Sequence, residues 1–201
     1  MDGLRSIRNS ALPVRHISGQ FVTDNEWIRY RQLYADMDDC QICRTAAISE
    51  LDVPNPGRPF IRPQDSTVLF IGEAPPFTGG FWKLGNQDFV RYVLLSLLLD
   101  EFSLSQTDLH SEKALNAFVD RGFYFVQAIK WPLRQGTSYK SLKARERKSL
   151  IRHTAESHLQ SELALIRPDA IVCLGSAAWD ACASLTSVVY RTLLYIWRFW
   201  P

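Results

Sequence analysis

The stretch STVLFIGEAPPFTGGFW, residues 66–82, decides how this chain is read. Its first half, TVLFIG (67–72), is a continuous β-branched and apolar run, the pattern of a strand buried on both faces. The run stops at Gly72. A carboxylate (Glu73), Ala74, two prolines (Pro75 and Pro76), two glycines and the aromatics Phe77, Phe81 and Trp82 follow. The segment matches neither G-x-x-x-x-G-K-[ST] nor G-x-G-x-x-G. Its consecutive prolines also remove two N–H donors that a phosphate cradle would need. A stiff wall with aromatic faces better suits a planar ring, the way a base taken out of its stack is held. Taken singly, Phe81 and Trp82 also read as ordinary core aromatics.

Outward from this stretch, FYFVQAI (123–129) and DAIVCLG (169–175) read as two further buried strands. Helical spacing is expected in NEWIRYRQLYADM (25–37), where Trp27, Tyr30 and Tyr34 share a face. It recurs over 86–102, over 140–166 with a stripe through Leu159, Leu163 and Ile166, and over 176–185. VPNPGRPFIRP (53–63), with four prolines and a glycine, is a loop. Strands alternating with helices predict a short central parallel sheet covered on both faces, a three-layer α/β/α sandwich. Ligands of such sheets sit beyond the carboxyl ends of the strands. Gly72–Pro76, Gln127, and Gly175 with Ser176 all fall at those ends.

The 201 residues, 46% hydrophobic, suffice for one core. We read 1–25 as an irregular N-terminal extension and 26–201 as one domain. YVLLSLLL (92–99) is too short to cross a bilayer and is flanked by Arg91 and Asp100. MDGLRSIRNS has no apolar core, so no signal peptide is read there, and a soluble cytoplasmic protein is expected. The net charge of +2 hides a local excess: eight Lys/Arg and one acid, Glu146, lie between Lys130 and Arg152. That segment is either a docking site for a polyanion such as nucleic acid or a solvated helix face.

Four cysteines are present. Cys40 and Cys43 form C-x-x-C, half of a metal-ligand pattern. Cys173 and Cys182 read as buried residues of a strand and a helix. In a cytoplasmic chain none is expected in a structural disulfide.

VLFIGEAPP resembles the first motif of the uracil-DNA glycosylase superfamily, closest to its bacterial and archaeal iron–sulfur branch. FYFVQAIKWP is similar to that branch's second strand. SELALIRPDAIVCLGSAAWDACASL is similar to its third strand and following helix. The resemblance spans residues 27–185 and implies hydrolysis of the N-glycosidic bond of uracil or another deaminated base in DNA. By the same resemblance, Gly72, Glu73, Ala74 and Pro75 position the water and the flipped sugar, with Glu73 as the catalytic residue that orients the water or stabilises the cationic sugar; Glu73 also reads as a hydrogen-bonding strut for neighbouring N–H groups. Phe81 or Trp82 stacks on the base. Gln127 stands where the family reads the base edge with an asparagine. Its carboxamide keeps the donor and acceptor pattern but reaches one methylene further, which puts the target base in question. Gly175, Ser176, Lys130 and Arg134 are expected at the DNA backbone. The partner is DNA, single- or double-stranded, and a monomer is expected.

The chain departs from that branch twice. An iron–sulfur cluster needs four cysteines; Cys40 and Cys43 match two, while Trp131 and Ala155 stand at the other positions. Neither a cluster nor another cofactor or metal is expected, and the two thiols are read as free. A zinc site completing them with His153 or His158 is read as lacking spacing support. The family's last motif, a histidine in a loop beyond a fourth strand, is also unmatched: His16, His110, His153 and His158 all precede the third strand. The sheet is therefore expected to lack its last strand unless the tail YIWRFWP (195–201) supplies it. Two other readings stay open. One is a non-catalytic nucleic-acid-binding protein or a truncated relic on the same fold. The other is a small-molecule α/β enzyme.

Overall fold

The computed structural model describes residues 23–46, 58–63, 68–76, 80–85, 88–96, 99, 104–132, 143–185 and 194–197. The three expected strands form as β1 (Val68–Gly72), β2 (Phe123–Gln127) and β3 (Ala170–Leu174). A fourth strand, β4 (Leu194–Trp197), pairs parallel with β3 in the register Ile171↔Leu194 to Leu174↔Trp197. Of the two alternatives open for the last strand, the structure takes the second: the apolar tail supplies it. The sheet is wholly parallel, in the order β2-β1-β3-β4. Parallel strands need crossovers, and helices supply them.

α1 (Asp24–Asp38) starts at a capping box: the Thr23 hydroxyl accepts from the Glu26 N–H, and the Glu26 carboxylate accepts from the Thr23 N–H. Tyr30 and Tyr34 turn into the core from one face, with Trp27 stacked on Tyr30. α2 (Gln41–Ala46) follows directly. Between β1 and β2 run α3 (Phe89–Ser96), a 3₁₀ turn (Gln106–His110) and α4 (Glu112–Asp120). Arg91, which flanks the apolar run 92–99 in sequence, is 1% exposed. Its guanidinium donates to the carbonyls of Phe81, Lys83, Leu109 and Ser111, tying the segment after the proline turn to α3.

The long helix expected before β3 is α5 (Ala144–Thr154) and α6 (Gln160–Ile166), joined without a break by a π-helical turn, Ala155–Leu159. At its start the Thr154 hydroxyl donates to the carbonyls of Leu150 and Ile151. Such side-chain competition for backbone acceptors bends helices. Arg167 ends α6 in the left-handed conformation. α7 (Ser176–Ser184) follows β3 through Gly175, whose φ of +98° suits a residue without a Cβ. One core takes in both faces of the sheet: Leu69, Ile71, Tyr124, Val126, Ile171 and Cys173 share one face, Phe125 stands on the other, and Leu115, Phe118, Leu159, Leu163 and Ala178 come from the helices. The fold is an α/β/α sandwich.

Candidate functional site

In the order β2-β1-β3-β4, the chain leaves β1 for one side and later returns to its other side with β3. The crevice between the carboxyl ends of β1 and β3 is the topological switch point, where open parallel sheets place their ligands. Two turns arrive there: Gly72-Glu73-Ala74-Pro75 after β1, and Gly175-Ser176 after β3. Gln127 ends β2 directly opposite Gly72.

The pairing of β1 with β2 continues past the strands. The Ala128 N–H donates to the Gly72 carbonyl and the Ile129 N–H to the Glu73 carbonyl, each at 2.8 Å. The proline turn is thus fixed to the segment after Gln127 by backbone contacts that survive the loss of the strand pattern. Glycine at position 72 has a specific cause. A Cβ there would stand 2.7 Å from Cζ of Phe125, whose ring crosses the end of β1. Glu73 is half-buried and Gln127 is buried.

Phe81 and Trp82 take the core placement. Phe81 is 0% and Trp82 1% exposed. The Phe81 ring stacks on Phe125 at 4.5 Å and leans on Phe118 and Trp82. Trp82 packs on Tyr124 and donates its Nε1–H to the Phe125 carbonyl at 3.0 Å. Their ring faces are spent on protein, which corrects the expectation of an open stacking face on either one. Phe77, the third aromatic of the stretch, lies outside the described residues.

Lys130 is likewise not the surface cation expected at a DNA backbone. It is 1% exposed, and its ammonium donates to the Glu162 carboxylate and the Gln127 carbonyl. Glu162, 0% exposed, also accepts from the hydroxyls of Tyr30 (3.3 Å) and Tyr34 (2.5 Å). Burial, with the Glu162 carboxylate adding to it, pushes both tyrosines well above their ordinary pKa, so both stay donors. Sequence spacing assigns the two tyrosines and Glu162 to separate helices and sets Lys130 just past a strand, with no sign that they meet. Arg134 lies outside the described residues; Lys143, Arg145, Lys148 and Arg152 on and beside α5 are exposed cations.

A second constellation lies on the far side of Lys130. Cys40, just before α2, and Cys43, within it, converge with His153 and His158 from the π-turned helix. The four donor atoms all lie within 4.8 Å of one another, with Cys40 Sγ 3.0 Å from His153 Nε2 and Cys43 Sγ 3.5 Å from His158 Nε2. Burial, with Lys130 and His153 nearby, lowers His158 to about 4, so its imidazole is neutral at physiological pH. Burial pushes the Cys43 thiol up. Trp131, which stands at the third cysteine position of the iron–sulfur branch, packs on Cys43 and Cys40. Ala155, at the fourth, is buried in the main core. The signal for this set was present in the sequence: C-x₂-C with H-x₄-H is a zinc-ligand pattern. The two pairs are separated by 109 residues in sequence, and Ala155, which stands at the branch's fourth cysteine position, lies between the two histidines.

A search of curated proteins returns no relative for this chain. The family model of the uracil DNA glycosylase superfamily matches residues 59–198, a span that begins before the proline turn and includes all four strands and both switch-point turns. With that match covering more than two thirds of its length, the chain belongs to the uracil DNA glycosylase superfamily.

Proposed function

We propose that the protein hydrolyses the N-glycosidic bond of uracil or another deaminated base in DNA. The observation that carries this reading is the junction of the Glu73 turn with the end of β2. Two backbone hydrogen bonds set an acid and a carboxamide at adjoining strand ends, beside the switch point of the sheet. On this reading the flipped base meets the Gln127 carboxamide, which offers an acceptor to N3–H and a donor to O4. Glu73 orients a water toward the sugar's anomeric carbon and stabilises the cationic sugar. The bond's electron pair leaves with the base, water supplies the new C–O bond, and its proton passes to Glu73 or to solvent. Gly72, Ala74 and Pro75 give the wall that positions sugar and water. Phe81 and Trp82 support base binding from beneath, by holding Phe125 against the end of β1. Gly175 and Ser176, at the start of α7, offer N–H groups to a DNA phosphate.

The test is base excision. Single- and double-stranded oligonucleotides carrying uracil, hypoxanthine or xanthine are incubated with the protein at low salt, and alkali then cleaves any abasic site. Excision that is lost in both Glu73→Ala and Gln127→Ala supports the reading; excision unchanged in both overturns the residue assignment. A second reading, DNA binding without excision, is favoured by one observation: His153 and His158 face the cysteines and not the strand ends. Salt-sensitive binding with no abasic product would establish it.

A further inference from the structure

We infer that Cys40, Cys43, His153 and His158 form a structural site for a single zinc ion. The resemblance to the iron–sulfur branch implies a cluster at this end of the molecule, and the residues present do not fit one. Such clusters are held by four thiolates, or by two thiolates and two imidazoles on different irons. Here two thiolates and two imidazoles crowd to within 4.8 Å. Tetrahedral bonds of about 2.0–2.3 Å put neighbouring donors about 3.3–3.8 Å apart. Of the two sulfur–nitrogen distances, 3.5 Å falls in that range and 3.0 Å lies just below it, and neither leaves room for bridging sulfides. Mixed sulfur and nitrogen donors in a tetrahedral set select zinc among the common ions.

Three further features are those of a built site. The π turn brings the histidines into register. Positions five apart on an α-helix point about 140° away from each other at 3.6 residues per turn, and the i→i+5 pattern closes that angle. The outward side of His153 is also served: the Ser157 hydroxyl lies 3.3 Å from its Nδ1. Hydrogen bonds of that kind orient metal-bound histidines. Trp131 packs over the cysteines, with Cys43 buried and Cys40 partly so. With four protein donors no coordination position is open, so the ion staples α2 to the α5–α6 helix and does no chemistry on substrate. The site is independent of the DNA reading.

The experiment uses the full chain as purified. Elemental analysis is expected to give about one zinc per chain, without matching iron or acid-labile sulfide. After chelation, Co²⁺ should restore one equivalent, with the visible bands of a tetrahedral ion and a thiolate charge-transfer band. Ser157→Ala, at an exposed position, should fold normally and weaken zinc about 10- to 100-fold in competition with a chromophoric chelator. Cys43→Ala and His158→Ala should lose the ion. If they fail to fold, the chelator titration of the unmodified chain still decides. A brown protein with iron and sulfide, or a chain that neither carries zinc nor takes up Co²⁺, overturns the inference.

Discussion

The Lys130 ammonium bridges the Glu162 carboxylate on α6 and the carbonyl of Gln127 at the end of β2. A fully buried ion pair thus fixes the strand end that is proposed to read the base to the helix that carries the two clustered histidines. Lys130→Met would leave a carboxylate uncompensated at 0% exposure, and removing one member of a buried pair costs about 3–5 kcal/mol. The double variant Lys130→Met/Glu162→Gln removes both charges and keeps an acceptor for Tyr30 and Tyr34. It should recover most of that loss. Urea midpoints of the two variants check the pair; equal destabilisation in both would show that charge compensation is not what matters.

Gly72→Ala should destabilise the fold by about 1–3 kcal/mol through overpacking. The added methyl meets the Phe125 ring at 2.7 Å, and that ring is buried and stacked on Phe81. Thermal unfolding compared with Gly85→Ala separates the clash from backbone strain. Gly85 has a φ of +70° and open space around its Cβ position.

Gln127→Ala should lower single-turnover excision by about 100-fold, the scale of losing one oriented contact in the transition state. Glu73→Gln should lower it further while leaving DNA affinity nearly unchanged, because a neutral amide cannot stabilise a cationic sugar. Excision kinetics beside a filter-binding isotherm check both. A fall in affinity equal to the fall in rate would assign Glu73 to binding instead.

Asp108 gives a prediction for acid. Its carboxylate accepts from the Ser105 N–H and hydroxyl and pairs with Lys113, which together lower it from 3.8 to about 2. The folded state therefore holds this proton less readily than the unfolded chain. Its contribution is full above 3.8 and is lost as pH falls toward about 2. Asp108→Asn should flatten the acid limb of the stability curve in that window, read by circular dichroism. The Lys113 share, being exposed, should fade in high salt.

Much of this architecture could be read in advance because apolar runs fix strands directly. TVLFIG, FYFVQAI and DAIVCLG each end at a glycine or just before a charged residue, and the structure follows within a residue or two. The carboxyl edge was legible for the same reason. Groups whose meaning depends on a partner distant in sequence were not. Arg91 and Lys130 look like surface cations until Leu109, Ser111 and Glu162 arrive beside them. Phe81 and Trp82 look like a platform until β2 brings Phe125 and Tyr124 onto their faces. β4 was hidden in a tail whose aromatics resemble an exposed patch as much as a strand. The histidine pair escaped because an α-helical period sets positions 153 and 158 on different faces, and only the wider turn reunites them.

The crossing of Phe125 over Gly72 also constrains how the sequence can drift. Neither position can change freely alone: a side chain at 72 demands a smaller residue at 125, and a smaller residue at 125 strips Phe81 of its stacking partner. Positions 72, 81 and 125 should therefore behave as one unit of substitution, with the cost of Gly72→Ala falling in a Phe125→Leu background. Among relatives, the first residue of the proline turn should vary in step with a strand residue more than fifty positions away.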